Sequence, residues 1–210
     1  MIKNNITQNN SNSKIDIYYD NESRYSNIKL GNKKRYIKNF IDMGLDIAII
    51  EILDEDNISK DYFLFPEYEF RINNELINNM IYIPQYAKGL DLVNARGIIK
   101  NINDYEITHL ANTEEGSSGS PIFLENSIFV IGIHKEGNKV KEENYGDFIY
   151  PAINIIKEDI RKKRNKGKYI DENIYGKIIN IIEVNLKIIF QMEKELNIIQ
   201  MEIFYMMVIL

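Results

Sequence analysis

From Lys14 to about Pro151 the chain runs in short apolar bursts broken by polar turns; after Pro151 the rhythm changes. KIDIYY, SNIKL, DIAIIEI, DYFLF, MIYIP, ARGIIKNI, EITHL, SPIFL and SIFVIGIH are each rich in β-branched and aromatic residues, which predicts strands. Glu125-Asn126, between the last two runs, suits a tight hairpin turn. Many short strands at regular spacing predict an all-β sandwich or barrel. Beyond Pro151, Ile153, Ile156 and Ile160 recur at helical spacing, and Lys and Arg fill the last turn. One helix closing an all-β run reads as a C-terminal cap.

Both ends depart from this pattern. Residues 1–14 are polar and offer nothing to a core, so they read as disordered or as a loop. The basic run from Arg161 to Lys168 reads as a solvated linker. Residues 169–210 mix isoleucine runs with methionines, hold no period and end in MMVIL, a poorly specified tail. The expected organisation is therefore 1–14 loop, 15–162 globular domain, and 163–210 linker and tail.

Composition narrows the class. The chain has 210 residues, 44% hydrophobic and 27% charged, enough for one domain with a real core. A formal net charge of −5 argues against a nucleic-acid partner. Cysteine is absent, so neither a disulfide framework nor a thiolate metal site is available. The first residues contain no apolar run of the kind a signal peptide needs, and no stretch has the length of a membrane span. A cytoplasmic location is the default reading.

The segment from Thr113 to Pro121, TEEGSSGSP, carries the most chemical information. A serine hydroxyl is a poor nucleophile unless a base takes its proton and donors stabilise the oxyanion. Gly116, two residues before Ser118, lets the backbone turn so that two N–H groups point at one spot. Gly119 leaves room for close approach of a substrate. A Gly/Ser turn without chemistry would look the same in isolation. A second segment is Gly44 to Ile52, where Asp46 heads an apolar strand. A carboxylate there is either a turn residue or has a partner to orient. The third is Phe129 to His134, directly after the hairpin that follows Ser118.

Together the three segments resemble the trypsin-like serine peptidase superfamily, across roughly residues 15–162. GSSGSP is similar to its nucleophile signature, and DIAIIEI is similar to the strand opened by its aspartate. The resemblance implies an all-β, chymotrypsin-like double β-barrel with an incomplete first barrel, and a site in the cleft between the lobes. It implies Ser118 as nucleophile, Asp46 as the acid that orients the base, and the amides of Gly116 and Ser118 as the oxyanion hole. The backbone of Lys135 to Gly137 would line the substrate strand. Asn112 would mark the floor of the pocket for the residue preceding the cut bond, the P1 residue. Thr113 and His134 match the threonine and histidine that glutamate-specific relatives place around an acidic P1 side chain. The expected partner is a peptide or protein substrate. No metal or cofactor is implied, since triad hydrolysis uses only side chains and water.

One element of that pattern is missing. The family's order is His, Asp, Ser, yet no histidine precedes Asp46; the only two are His109 and His134. His109 lies on the strand entering the nucleophile loop, on the serine side rather than the base side. The loss of a triad base is worth on the order of 10⁴–10⁶ in kcat. Truncation of the reading frame and a true pseudoenzyme are the competing explanations, with truncation preferred. The tail points the same way. Back-translated with AT-rich codons and read one base earlier, residues 191–210 resemble a MORN repeat. The rival functions are a truncated endopeptidase, a non-catalytic peptide-binding module, and an unrelated β-rich interaction protein.

Overall fold

The computed structural model describes residues 14–19, 24–30, 35–58, 63–67, 72–165 and 208–209. The expectations for residues 1–13 and for the tail from 166 to 207, including the frameshifted repeat, lie outside these residues. The chain divides into two compact units, Met1–Ala152 with Phe204–Leu210, and Ile153–Ile203. Every candidate site residue belongs to the first.

The barrel is built from β6 (Met80–Gln85), β7 (Val93–Asn103), β8 (Glu106–His109), β9 (Pro121–Leu124), β10 (Phe129–Asn138) and β11 (Glu143–Phe148). The hydrogen-bonded order is β11-β8-β7-β6-β9-β10, and a β10–β11 pairing closes the ring, so the barrel leaves no free edge between these strands. A short β5 (Phe65–Pro66) runs parallel to the start of β10. The β9–β10 hairpin turns at Glu125-Asn126 as expected, with Asn126 at φ 65 and Ser127 N–H donating to Leu124 O.

Strand alternation fills the interior. Ile81 and Ile83 on β6, Ile99 on β7, Ile107 on β8, Ile122 on β9 and Ile131 on β10 are all at most 1% exposed, and Phe148 joins them from β11. Each such side chain contributes about 1.5–3 kcal/mol on burial.

The N-terminal lobe is described in part. β1 (Lys14–Tyr19) and β2 (Arg24–Lys29) form an antiparallel pair. β3 (Ile37–Asn39) and β4 (Ala48–Ile50) form another, to which β12 (Val208–Ile209) adds. Among the described residues these strands make two small sheets rather than a closed ring. Phe40, Leu45 and Ile47 are buried here. Arg35 fastens the lobe: its guanidinium meets both oxygens of Asp56 at 2.7 and 2.8 Å and donates to the carbonyls of Lys29 and Glu51. Such a fork satisfies a cation that is almost wholly buried.

The only helix longer than a single turn among the described residues is α1 (Tyr150–Asn165), which starts one residue before Pro151. Proline suits a first turn because its missing N–H has no helical acceptor anyway. No described helix is long and apolar enough to cross a membrane.

Candidate active site

The loop from Ala111 to Ser120 joins β8 to β9. Two turns shape it: Ser117 N–H donates to Glu114 O, and Ser120 N–H to Ser117 O. Gly116 and Gly119 sit at φ 91 and 92, a region that side-chain-bearing residues avoid. Ser117 is fully buried and its Oγ accepts from Glu114 N–H, so it anchors the loop. Ser118 is pushed outward and exposed. Reciprocal bonds fasten the loop to β10: Gly119 N–H to His134 O, and His134 N–H to Ser120 O, both 2.8 Å. On the other side Lys88 N–H donates to Glu115 O, and Gly116 lies against the backbone of Tyr86 to Gly89.

Neither the Gly116 N–H nor the Ser118 N–H donates to an acceptor among the described residues. Amides left without an acceptor in a loop that carries an exposed serine can bind a developing oxyanion. The Ser118 hydroxyl itself donates to Lys135 O at 2.6 Å.

Lys135 ties this serine to the N-terminal lobe. Its ammonium lies 2.6 Å from Glu106 Oε2 and 3.1 Å from Asp147 Oδ1. Burial works against the charge, but the hydrogen bonds to the two carboxylates outweigh it and raise the Lys135 pKa. Asp147 Oδ2 accepts the backbone N–H of Asp46 at 2.7 Å. The path from Asp46 to Ser118 thus runs through Asp147 and Lys135. Asp46 itself is exposed. The turn that delivers it uses Gly44 at φ 75, and is closed by Phe40 N–H donating to Ile47 O.

The remaining expected residues fall around the same loop. Asn112 is exposed, and its carbonyl accepts from the Gln85 side chain at 3.0 Å. Thr113 is half-buried, and its hydroxyl donates to Asn144 Oδ1. His134 is 2% exposed and His109 0%. Their rings meet edge to face, with His109 Nε2 3.3 Å from His134 Nδ1. Burial and the neighbouring His134 lower the His109 pKa to about 3. Burial lowers that of His134 to about 4, against the pull of the Tyr145 backbone. Both rings are therefore neutral near pH 7, and neither is bonded to Ser118. Gly137 on β10 faces Asn144 across the ladder.

Sequence reasoning missed Asp147, Glu106 and Asn144. An acid between Gly146 and Phe148 in an otherwise apolar run was the available signal for Asp147. Nothing marked the other two.

No family model matches the sequence, and no curated protein matches it. Among solved structures, a Glu endopeptidase in complex with MPD is 18% identical, with TM-score 0.51, over 70% of this chain and 72% of that one. Tobacco etch virus protease, catalytically active and complexed with product, is 18% identical, with TM-score 0.38, over 59% of this chain and 52% of that one. An inactive form of Rv3671c from M. tuberculosis H37Rv is 17% identical, with TM-score 0.35, over 40% of this chain and 47% of that one. The chain spans about half the length of the latter two. The fold is chymotrypsin-like.

Proposed function

We propose that this chain is a serine-endopeptidase-type domain whose nucleophile side is assembled and whose base is absent. One observation carries the reading: the Ser118 hydroxyl is exposed, and the backbone amides of Gly116 and Ser118 have no acceptor among the described residues. That arrangement suits attack on a peptide carbonyl and stabilisation of the resulting oxyanion. In this reading Asp46 is the orienting acid, and a substrate strand lies along Lys135 to Gly137. The structural likeness to proteases of this fold is consistent with a peptide or protein substrate.

A non-catalytic peptide-binding module is the second reading, favoured by the Ser118 proton itself. It is held by a backbone carbonyl, which cannot accept it for good. Both histidines are buried and paired with each other.

A fluorophosphonate probe tests the assignment. Labelling of the chain alone is expected to be slower than for a complete triad by about 10⁴-fold or more. Imidazole added as an external base is expected to accelerate it, with the adduct on Ser118 by mass spectrometry and none in Ser118→Ala. An adduct elsewhere, or fast labelling without imidazole, would reject this account of the site.

A further inference from the structure

A groove of about 480 Å³ opens on the outer face of the barrel, where β7, β8 and β11 lie side by side. Ile107 fills the interior, so strand alternation turns Glu106 and Thr108 to this outer face. Thr108 pairs with Asn101 on one side and with Tyr145 on the other, and all three line the groove. Lys141 and Glu143 line it from the far end of β11 and the hairpin before it.

The middle of the groove holds polar groups with nothing to bind. Thr108 is only 7% exposed, and its hydroxyl has no hydrogen-bond partner among the described residues. A hydroxyl withdrawn from bulk water and left unpartnered is costly unless something completes it. The Asn101 carboxamide beside it is likewise uncommitted among the described residues. A hydroxyl and a carboxamide each donate and accept, which suits the N–H and C=O of a peptide unit.

The two ends differ in charge. At one end Glu106 and the buried Asp147 share the Lys135 ammonium, which leaves one negative charge in excess. Lys135 engages Glu106 through Oε2, so Oε1 is open to the groove. At the other end Glu143 is satisfied on both oxygens, by Lys100 Nζ at 2.5 Å and by the Tyr145 hydroxyl at 3.1 Å. Lys141 is exposed and holds no ion pair among the described residues, so here one positive charge is in excess. Asp147 pairs with Glu106, and Glu143 precedes Asp147 by four positions on β11. At roughly 3.3 Å per residue the ends stand about 13 Å apart. A ligand carrying one sign of charge would be repelled at one of them.

We propose that this groove binds a short free peptide, its N-terminal ammonium at Glu106, its peptide units over Thr108 and Asn101, and its C-terminal carboxylate at Lys141. An extended chain of two or three residues spans about 7–10 Å. A hydrogen bond of about 2.8 Å at each end accounts for the remainder. The groove shares no lining residue with the Ser118 loop, so the proposal stands apart from any reading of that serine.

The experiment uses trialanine in four forms: free, N-acetylated, C-amidated and blocked at both ends. Each is titrated into the ¹⁵N-labelled 210-residue chain at pH 7, and amide shifts are followed by NMR. The free form is expected to move the amides of Thr108 and Tyr145 and to leave those of Gly116 to Gly119 in place. Blocking either end is expected to weaken binding about fivefold, the upper worth of an exposed ion pair. In Lys141→Gln the amidated and free forms are expected to bind alike, while acetylation still weakens binding. Glu106→Gln is expected to show the reverse. Equal binding of all four forms to wild type would overturn the proposal. So would shifts centred on the Ser118 loop, which would place the peptide in the other site, or no shift at about 10 mM peptide, far above a Kd worth assigning. The wild-type series decides the question even if Glu106→Gln does not fold.

Discussion

His109 and His134 meet at 3.3 Å in a setting that excludes water almost entirely. Their pKa values fall to about 3 and about 4, below the usual histidine value near 6.5. As the pH drops below about 6.5 the unfolded chain takes up protons that the folded chain refuses, so stability falls with pH down to the folded values. Above about 6.5 both states are neutral and the contribution is complete. By pH 4 the loss is about 3 kcal/mol for either ring taken alone. Denaturant titrations from pH 7 to pH 4 are expected to give a steep fall for wild type and a shallower one for His109→Gln. Parallel profiles would show that the pair does not govern the acid response. The same geometry removes both imidazoles from the serine. The residues that a chemist would first nominate as bases are here an internal, neutral pair.

At the scale of elements, what was legible in the sequence follows from what a strand has to bury. β6, β8, β9 and β10 announce themselves because Ile81, Ile83, Ile107, Ile122 and Ile131 alternate into one interior. The turn chemistry of Glu125-Asn126 and of the Gly116–Gly119 loop was equally plain, since each needs a positive φ at a stated position. β11 was not legible. Its sequence, ENYGDF, has a glycine and a buried aspartate where a strand detector wants branched apolar residues. Gly146 is required because a Cβ there would lie 2.6 Å from Ile133 O, and Asp147 is tolerated only because Lys135 arrives from the neighbouring strand. β3 was missed for a simpler reason, since three residues carry no period. The closeness of β10 and β11 yields a prediction. A methyl group on Gly132 would fall 2.7 Å from Asp147 O and 2.8 Å from Ile107 Cδ1, both fixed in the barrel wall. Gly132→Ala is expected to cost about 1–3 kcal/mol by overpacking, read from the urea midpoint with an unchanged slope. A change of less than a few tenths of a kcal/mol would mean that the β10–β11 junction is looser than this geometry.

At the scale of the molecule, the segments of Asp46 and Ser118 are joined through a carboxylate that belongs to neither motif. Asp46 and Ser118 were the residues legible in the sequence, far apart in order and expected to converge. The link between them is Asp147, reaching back 101 positions to the Asp46 amide and sideways to Lys135. No local pattern could announce it, because its partners come from β10 and from the turn before β4. Asp147 is buried between a cation and an N–H, so its removal leaves both short of an acceptor. Asp147→Ala is expected to cost about 3 kcal/mol, the low end for a broken buried pair, because Glu106 still faces the Lys135 ammonium. That figure alone would not separate a link between lobes from ordinary barrel stability. Amide hydrogen exchange does. If Asp147 holds the N-terminal lobe in register with the barrel, the Asp46 amide loses protection beyond the global loss, while the amides of β6 and β7 fall only with global stability. An Asp46 amide that stays in step with the barrel core would mean that the bond is incidental, and that the lobe is aligned by the packing of Phe40, Leu45 and Ile47 instead.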